Sequence, residues 1–288
     1  MIKLIASYLK NRTANIRINK HIGPSFNLNC GVPQGGCLSP SLFNYYNHDI
    51  PDPINLYSEN IIYADDITQI ISQKSQRVLT KQTEREIKNI NEYERKWKIN
   101  TNMKKFQVIP MDGKRTNKVK VNGEDIEYSN RGIALGTVIT TKGFTAHATT
   151  RTAIAKTTLT NLFSLRNLSK ENKKLLYMTM TRSKLIYSII PLQTSSYSNK
   201  KKMQIIQNKA ARLITNTRLI ERKTNQQVNE EADLQPINII IQERAKTIWD
   251  KITLTGNQRI KLMYNRNNQP KRHPSSRELC EKRIEPIY

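Results

Sequence analysis

Asn60 to Ile71 reads NIIYADDITQII, and its four central residues, Tyr63-Ala64-Asp65-Asp66, decide how the chain is read. Isoleucines flank two adjacent carboxylates, and the run holds no Lys or Arg. β-branched residues on both sides of a short polar break predict strand, turn and strand, with the paired aspartates at the tip. Two unit charges ~4 Å apart repel by roughly 4 kcal/mol at an effective dielectric near 20. A cation offsets that repulsion, and Mg²⁺ (or Mn²⁺) with oxygen ligands is the natural one. Paired metals of this kind serve phosphoryl transfer. On these four residues alone, a merely polar hairpin tip is an open alternative.

Upstream lies Gly31-Val32-Pro33-Gln34-Gly35-Gly36-Cys37-Leu38-Ser39-Pro40. Its glycines and proline set an irregular backbone that can approach a ligand closely. Ser39-Pro40 has the form of an N-cap and first helical position. Leu42, Phe43, Tyr46 and Ile50 follow at helical spacing. A tight loop therefore opens a helix, and the acidic hairpin follows. An ordinary Gly/Pro turn explains the loop by itself, but both motifs in this order and spacing are hard to obtain by chance.

With these residues in view, the chain resembles the reverse transcriptases of non-LTR retrotransposons, most of all the jockey type. GVPQGGCLSP resembles the family's template-and-nucleotide loop, SLFNYYNHDIP the helix behind it, and YADD the metal-binding box. Trp97 to Phe106 is similar to the next block, with its Asn-x-x-Lys step at Asn102 and Lys105. Ile133-Ala134-Leu135-Gly136-Thr137-Val138 is similar to the primer-grip segment. The resemblance covers most of the chain, closely over 1–140 and loosely over 141–255.

The resemblance implies a reaction, its partners and its site residues. An RNA template, a DNA primer and deoxynucleotide triphosphates are the partners, and a primer 3′ hydroxyl is extended with Mg²⁺ or Mn²⁺. Asp65 is the expected direct metal ligand and Asp66 its partner. Tyr63 packs beside the primer end. Gln34 and the backbone of Val32, Pro33, Gly35 and Gly36 brace template and nucleotide. Leu135 and Gly136 contact the primer. Lys105 is a candidate proton donor to the leaving pyrophosphate, with Lys104 a competitor in register and a plain surface lysine the other reading.

One departure stands out. The family carries a further metal-binding aspartate on a strand before the GVPQG loop, whereas residues 1–30 contain no Asp or Glu. Met1 to Lys10 already resembles the helix just before that loop. The expectation is that the fingers and first carboxylate strand are missing. The chain is then the C-terminal part of a polymerase, from a truncated copy or an incomplete gene model, and inactive alone. Asp49 and Asp52 are poor substitutes, Asp49 suiting a structural role beside the Ile-Pro step.

Composition agrees with a polyanion partner. The chain has 288 residues and a formal net charge of +25, far above the magnitude of about 2–8 that suits a small domain. Basic surface gains affinity by releasing phosphate counterions. Cys30, Cys37 and Cys280 are scattered without ligand spacing, which speaks against zinc or a disulfide framework and for an intracellular protein. No 18-residue apolar run or signal-like segment occurs. A nuclear site suits the family.

The expected fold is α+β. Residues 1–145 form a partial polymerase palm, a small antiparallel sheet backed by helices. Within it Ser75 to Trp97 is a helix, 106–109 a strand, Val119 to Gly123 a hairpin through Asn122-Gly123, and Gly132 to Ile139 a strand and turn. Residues 146–255 form a helical thumb or connector. Its stripes are Ile154, Leu159, Leu162, Phe163 and Leu165; Leu175, Met178, Leu185, Ile186 and Ile189 after a Ser169 cap; and Met203, Ile206, Ala210 and Leu213 in a helix starting after Ser198. From Lys142 to Ile220 there are 15 Lys/Arg and one acid, Glu171, a pattern that can track a phosphate backbone. An acidic patch, Glu230 to Asp233, and an apolar segment, Ile237 to Trp249, follow. Residues 256–288 read as a disordered tail. The alternative function is a non-catalytic basic nucleic-acid-binding remnant. A nuclease using Asp65 and Asp66 leaves the GVPQG loop unexplained.

Overall fold

The computed structural model describes residues 1–55, 58–73, 75–111, 118–121 and 123–254. Two units form: Met1–Phe106 with Asn117–Ile126, and Gln107–Thr116 with Glu127–Tyr288.

The first unit begins with helix α1, Ile2–Leu9. A hairpin follows, β1 Arg12–Ile18 and β2 His21–Leu28, turning at Asn19 in the left-handed region. After the glycine-rich bend comes α2, Ser39–Tyr46. The hairpin β3 Ser58–Tyr63 and β4 Asp66–Ile71 is next, in register from Ser58–Ile71 to Tyr63–Asp66. Helix α3, Gln76–Trp97, ends at Lys98 in a left-handed cap, the usual way to close a last turn. A short hairpin, β5 Val119–Val121 and β6 Glu124–Ile126, lies against it. Val119 and Val121 are buried there, and the Lys120 amide donates to Glu84 Oε1 at 3.2 Å.

Few apolar side chains of this unit are covered. Ile87 and Tyr93 on α3 and the two valines of β5 are buried, but α1 buries none of its residues and both longer hairpins leave isoleucines exposed. Polar ties supply local order. Glu86, fully buried, accepts from the Ile54 amide at 3.1 Å and Gln82 Nε2 at 2.8 Å. Tyr46 meets Trp97 edge-on at 5.2 Å.

The second unit opens with the hairpin β7 Arg131–Ala134 and β8 Thr137–Thr140. Its helices are α4 Thr145–Leu162, α5 Lys170–Leu176, α6 Ser183–Leu185, α7 Ile189–Gln193, α8 Tyr197–Thr215, α9 Asn225–Glu231 and α10 Ile237–Leu254. A π-helical turn, Tyr177–Arg182, joins α5 to α6. Helix α8 is central and packs on α4, α5, α9 and α10. Its Met203, Ile206, Ala210 and Ile214 meet Leu159, Leu162, Leu192, Val228, Ile237 and Ile241 in one core. Each large aliphatic side chain so buried contributes about 1.5–3 kcal/mol. The segment Ile237 to Trp249 packs back onto this bundle as expected. Among the described residues no helix is long and apolar enough to cross a membrane.

Mixed helix and small antiparallel sheet is the observed class, with differences in detail. The strands form four separate two-stranded hairpins among the described residues, not one backed sheet. The strand expected at 106–109 is an extended segment without a ladder: the Val108 carbonyl accepts from the Ser129 amide and Gln107 Oε1 from the Ile133 amide. Gly132 to Ile139 is a hairpin of two strands rather than one strand and a turn. Ser39 opens α2 as its first residue, with Leu38 as N-cap. Ser196, not Ser198, caps α8, its side chain accepting from the Asn199 amide. Ser169 caps α5 as expected. Leu175 is exposed; the wide π turn carries the buried face through Lys173, Tyr177, Thr181 and Leu185, a stride of four. Asn122, Cys280 and the expected tail lie outside the described residues.

Candidate active site

The acidic hairpin folds as its sequence dictates. Tyr63 and Asp66 are the last cross-strand pair, leaving Ala64 and Asp65 as the turn. Ala64 takes φ +52, a left-handed conformation that lets two residues close the hairpin. Tyr63, Asp65 and Asp66 are all exposed, Tyr63 at 67 %. No group of three or more His, Cys, Asp or Glu side chains gathers among the described residues. The tip thus offers two carboxylates and, among the described residues, no third His, Cys, Asp or Glu ligand beside them.

The bend at 31–36 is held by residues that sequence reasoning missed. The Arg12 guanidinium donates to the carbonyls of Leu9, Cys30 and Gly31 at 3.1, 3.0 and 2.6 Å, fastening the foot of β1–β2 to the start of the bend. Gly31 and Gly35 take φ +77 and +81, where only glycine sits without strain. The Gly36 amide donates to the Pro33 carbonyl at 3.3 Å, and Ser39 Oγ also donates to that carbonyl. Tyr8 Oη lies 3.3 Å from Ser39 Oγ. A Cβ on Gly36 would collide with that Tyr8 hydroxyl. Gln34 is exposed, while Val32 and Pro33 are half-buried. No hydrogen bond or ion pair among the described residues joins this bend to the Asp65–Asp66 tip.

Asp49 is engaged elsewhere. Its Oδ2 accepts from Lys96 Nζ and Trp97 Nε1, both at 2.9 Å. The Lys96 ammonium, more than any other group, holds its carboxyl below the usual aspartate range. Lys104 and Lys105 are both exposed on a turn tied by Asn102, whose carbonyl accepts from the Lys105 amide at 2.9 Å and whose Oδ1 accepts from the Lys104 amide at 3.1 Å.

Leu135 and Gly136 belong to the second unit, where they turn β7 into β8. Both have positive φ, +47 and +73, as a type I′ turn requires. The Leu135 carbonyl accepts from Tyr187 Oη at 2.7 Å, and the Gly136 carbonyl accepts from the Arg151 guanidinium. Arg151 stacks on the Tyr187 ring at 4.3 Å. No sequence signal marked these partners, which lie 15 and 52 positions from the residues they hold.

Basic side chains of the same unit are unevenly matched. Lys174 pairs with Asp233 at 2.6 Å and Lys223 with Glu231 at 2.8 Å, so the acidic patch covers part of the charge. Lys201 and Lys202 remain exposed on the first turns of α8. Lys200 beside them is half-buried; burial pulls its amine below the usual lysine value, and the Gln193 carbonyl takes its hydrogen bond at 2.8 Å.

Comparison with known proteins agrees with this assembly of motifs. Residues 1–128 match the family model described as reverse transcriptase (RNA-dependent DNA polymerase). The chain is 26% identical over 279 residues to a probable RNA-directed DNA polymerase from transposon X-element of Drosophila melanogaster, covering 93% of this chain and 30% of that protein. It is also 26% identical over 231 residues to the RNA-directed DNA polymerase from mobile element jockey of the same species, covering 74% and 25%. The jockey polymerase of Drosophila funebris matches at 24% over 235 residues. The chain thus spans 25% to 30% of the length of these relatives. No solved structure matches. Residues 1–128 thus resemble the reverse transcriptase family, and the chain is similar over most of its length to RNA-directed DNA polymerases of mobile elements.

Proposed function

We propose that the chain is the part of an RNA-directed DNA polymerase that carries its paired aspartates, a partial palm over 1–145 followed by a helical thumb or connector over 146–255. The observation that supports this best is the exposed Asp65–Asp66 tip within the segment matching the family. Two carboxylates suit Mg²⁺ or Mn²⁺, which takes its remaining ligands from substrate phosphates and water. When bound, such an ion stabilises charge on the phosphoryl group being transferred. Asp65, free in the turn, is the direct ligand, with Asp66 beside it. Tyr63 supports the primer end, Gln34 and the Val32–Gly36 backbone brace template and nucleotide, Leu135–Gly136 contacts the primer, and Lys105 protonates the leaving pyrophosphate.

Two carboxylates are too few for a complete two-metal site. This chain alone should therefore extend a primer far more slowly than a complete polymerase does. Primer extension on an RNA template with deoxynucleotides and Mg²⁺ or Mn²⁺ tests the reading. Slow incorporation that vanishes in Asp65→Ala supports it; incorporation that survives Asp65→Ala overturns it.

The charge pattern favours a second reading, a nucleic-acid-binding remnant without catalysis. Between Lys142 and Ile220 a single acid stands among 15 basic residues. Complete absence of incorporation, with duplex binding that weakens steeply as salt rises, selects this reading. Each neutralised phosphate contributes about 0.9 to the log–log slope, so a slope below about two contacts removes it.

A further inference from the structure

Within the first unit, helix α3 and strand β5 frame an open cavity of about 230 Å³, lined by Glu84, Ile87, Lys88, Asn91, Arg95 and Lys120. Glu84, Lys88, Asn91 and Arg95 follow one another at steps of four, three and four, so they form one stripe of the helix. Ile87, buried, supplies the apolar part of the lining. The Lys120 amide donates to Glu84 Oε1 at 3.2 Å, which fixes β5 beside the stripe. In an antiparallel pair the N–H and C=O of one residue point the same way. The Lys120 carbonyl therefore also faces α3, away from its cross-strand partner Asp125. Three cationic side chains here meet a single acid. Lys88 reaches Glu92 only at 3.9 Å, an exposed pair of small effect. The Arg95 guanidinium and the Lys120 ammonium have no hydrogen-bond or ion-pair partner among the described residues.

We propose that this cavity is a docking site for an extended acidic peptide of another protein, with one apolar residue between two carboxylates. The charge favours an anion, and the rest of the lining selects its kind. Phosphate groups bring no hydrogen-bond donors, so Glu84 and the Lys120 carbonyl oppose a nucleic-acid backbone. A peptide main chain brings N–H donors that suit those two acceptors. When one peptide side chain faces Ile87, its two neighbours point together to the other face, about 7 Å apart. Lys88 and Arg95 lie about 10 Å apart along the helix axis, a span their long side chains close. The Arg95 fork takes one carboxylate in two parallel bonds, and an ammonium, Lys88 or Lys120, takes the other. The chain's own acidic run does not compete for the site, since Lys223 and Lys174 already hold Glu231 and Asp233. The site is independent of the polymerase reading.

The test uses the full chain and a fluorescein-labelled Gly-Glu-Leu-Glu-Gly peptide at fixed salt, with binding read by fluorescence anisotropy. The neutral Gly-Gln-Leu-Gln-Gly peptide should bind about tenfold more weakly. Arg95→Gln and Lys120→Gln should each raise Kd about threefold, and together about tenfold. Lys3→Gln removes the same charge from α1 and should leave Kd unchanged. Both cavity side chains are exposed, so the melting midpoint should hold in these variants. If either variant unfolds, hydrogen exchange on the wild-type chain decides: the acidic peptide should slow exchange at residues 118–121. Absence of binding overturns the proposal, as does equal affinity for the neutral peptide or unchanged exchange at that strand. An equal loss in Lys3→Gln overturns it too, by tracing the attraction to net charge alone. Displacement by inorganic phosphate, or by a DNA strand whose own binding Arg95→Gln weakens, assigns the cavity to phosphate and refutes the peptide.

Discussion

His147 Nε2 donates to the carbonyl of Tyr187 at 2.9 Å. The other ring nitrogen, Nδ1, accepts from the Val138 amide at 3.1 Å. An amide can only donate and a carbonyl only accept, so these partners demand the neutral tautomer protonated on Nε2. Burial, chiefly, lowers the pKa of the fully buried imidazole; the Arg151 charge acts the same way and the Tyr187 carbonyl opposes it. The unfolded chain therefore binds the proton first. Stability is full above the ordinary histidine value of about 6.5 and falls as pH drops below it towards the depressed folded value. The loss is at most about 1.4 kcal/mol per pH unit. Denaturant midpoints taken between pH 7.5 and 5 should show it, and His147→Gln should remove that part of the slope.

A connected set of buried polar side chains joins the helices of the second unit. Gln207 Oε1 accepts from Tyr177 Oη at 3.0 Å, and its Nε2 donates to Asn229 Oδ1 and the Gln235 carbonyl. Asn229 in turn donates to Asn208. Gln207→Leu keeps the volume but strands the Tyr177 hydroxyl, Asn229 Oδ1 and the Gln235 carbonyl, at a cost of about 1–3 kcal/mol for each group left unpaired. Chemical denaturation should place the variant at least about 3 kcal/mol below wild type. A change under about 0.5 kcal/mol contradicts the network as drawn.

Gly36 and Tyr8 compete for one volume. Gly36→Ser should force the Tyr8 hydroxyl off Ser39 and cost about 1–2 kcal/mol through overpacking. Tyr8→Phe removes the obstructing oxygen, so the serine should cost less in that background. A double-mutant cycle on melting midpoints reads the coupling; strict additivity argues against the clash.

Glu86 anchors the backbone ahead of the acidic hairpin. Glu86→Ala leaves the Ile54 amide and the Gln82 side chain without their acceptor. A loss of about 2–3 kcal/mol is expected, with faster amide exchange at Ile54. Undisturbed exchange there refutes the anchoring role.

Much of this arrangement is legible in the sequence because it is local. The Asn60–Ile71 run announces its hairpin through isoleucines broken by one short polar step, and Met203, Ile206, Ala210 and Leu213 mark the buried face of α8. What escapes is set by distant partners. Gln204, Gln207, Asn208 and Asn229 are buried, yet no sequence pattern marks these amides as core. Leu175 fits an α-helical stripe but falls outside it, because a π turn has more residues per revolution. Val108 and Ile109 have strand composition, yet their neighbours take their bonds one at a time. At the candidate site the acidic tip is visible in four letters, whereas Arg12, Tyr8, Arg151 and Tyr187 act on backbone that no spacing rule links to them.

Hairpins β1–β2 and β3–β4 have no third strand among the described residues, and Ile16, Ile18, Ile22, Ile61 and Ile62 on them are exposed. Open strand edges of this composition invite pairing between molecules. The +25 net charge opposes such pairing in dilute buffer. Its reach shrinks from about 10 Å at 0.1 M salt to about 3 Å at 1 M. The protein's colloidal behaviour should therefore be inverted relative to ordinary salting-in: clear at low ionic strength, clouding as sodium chloride is added, with light scattering falling again when Ile61 and Ile22 are replaced by lysine.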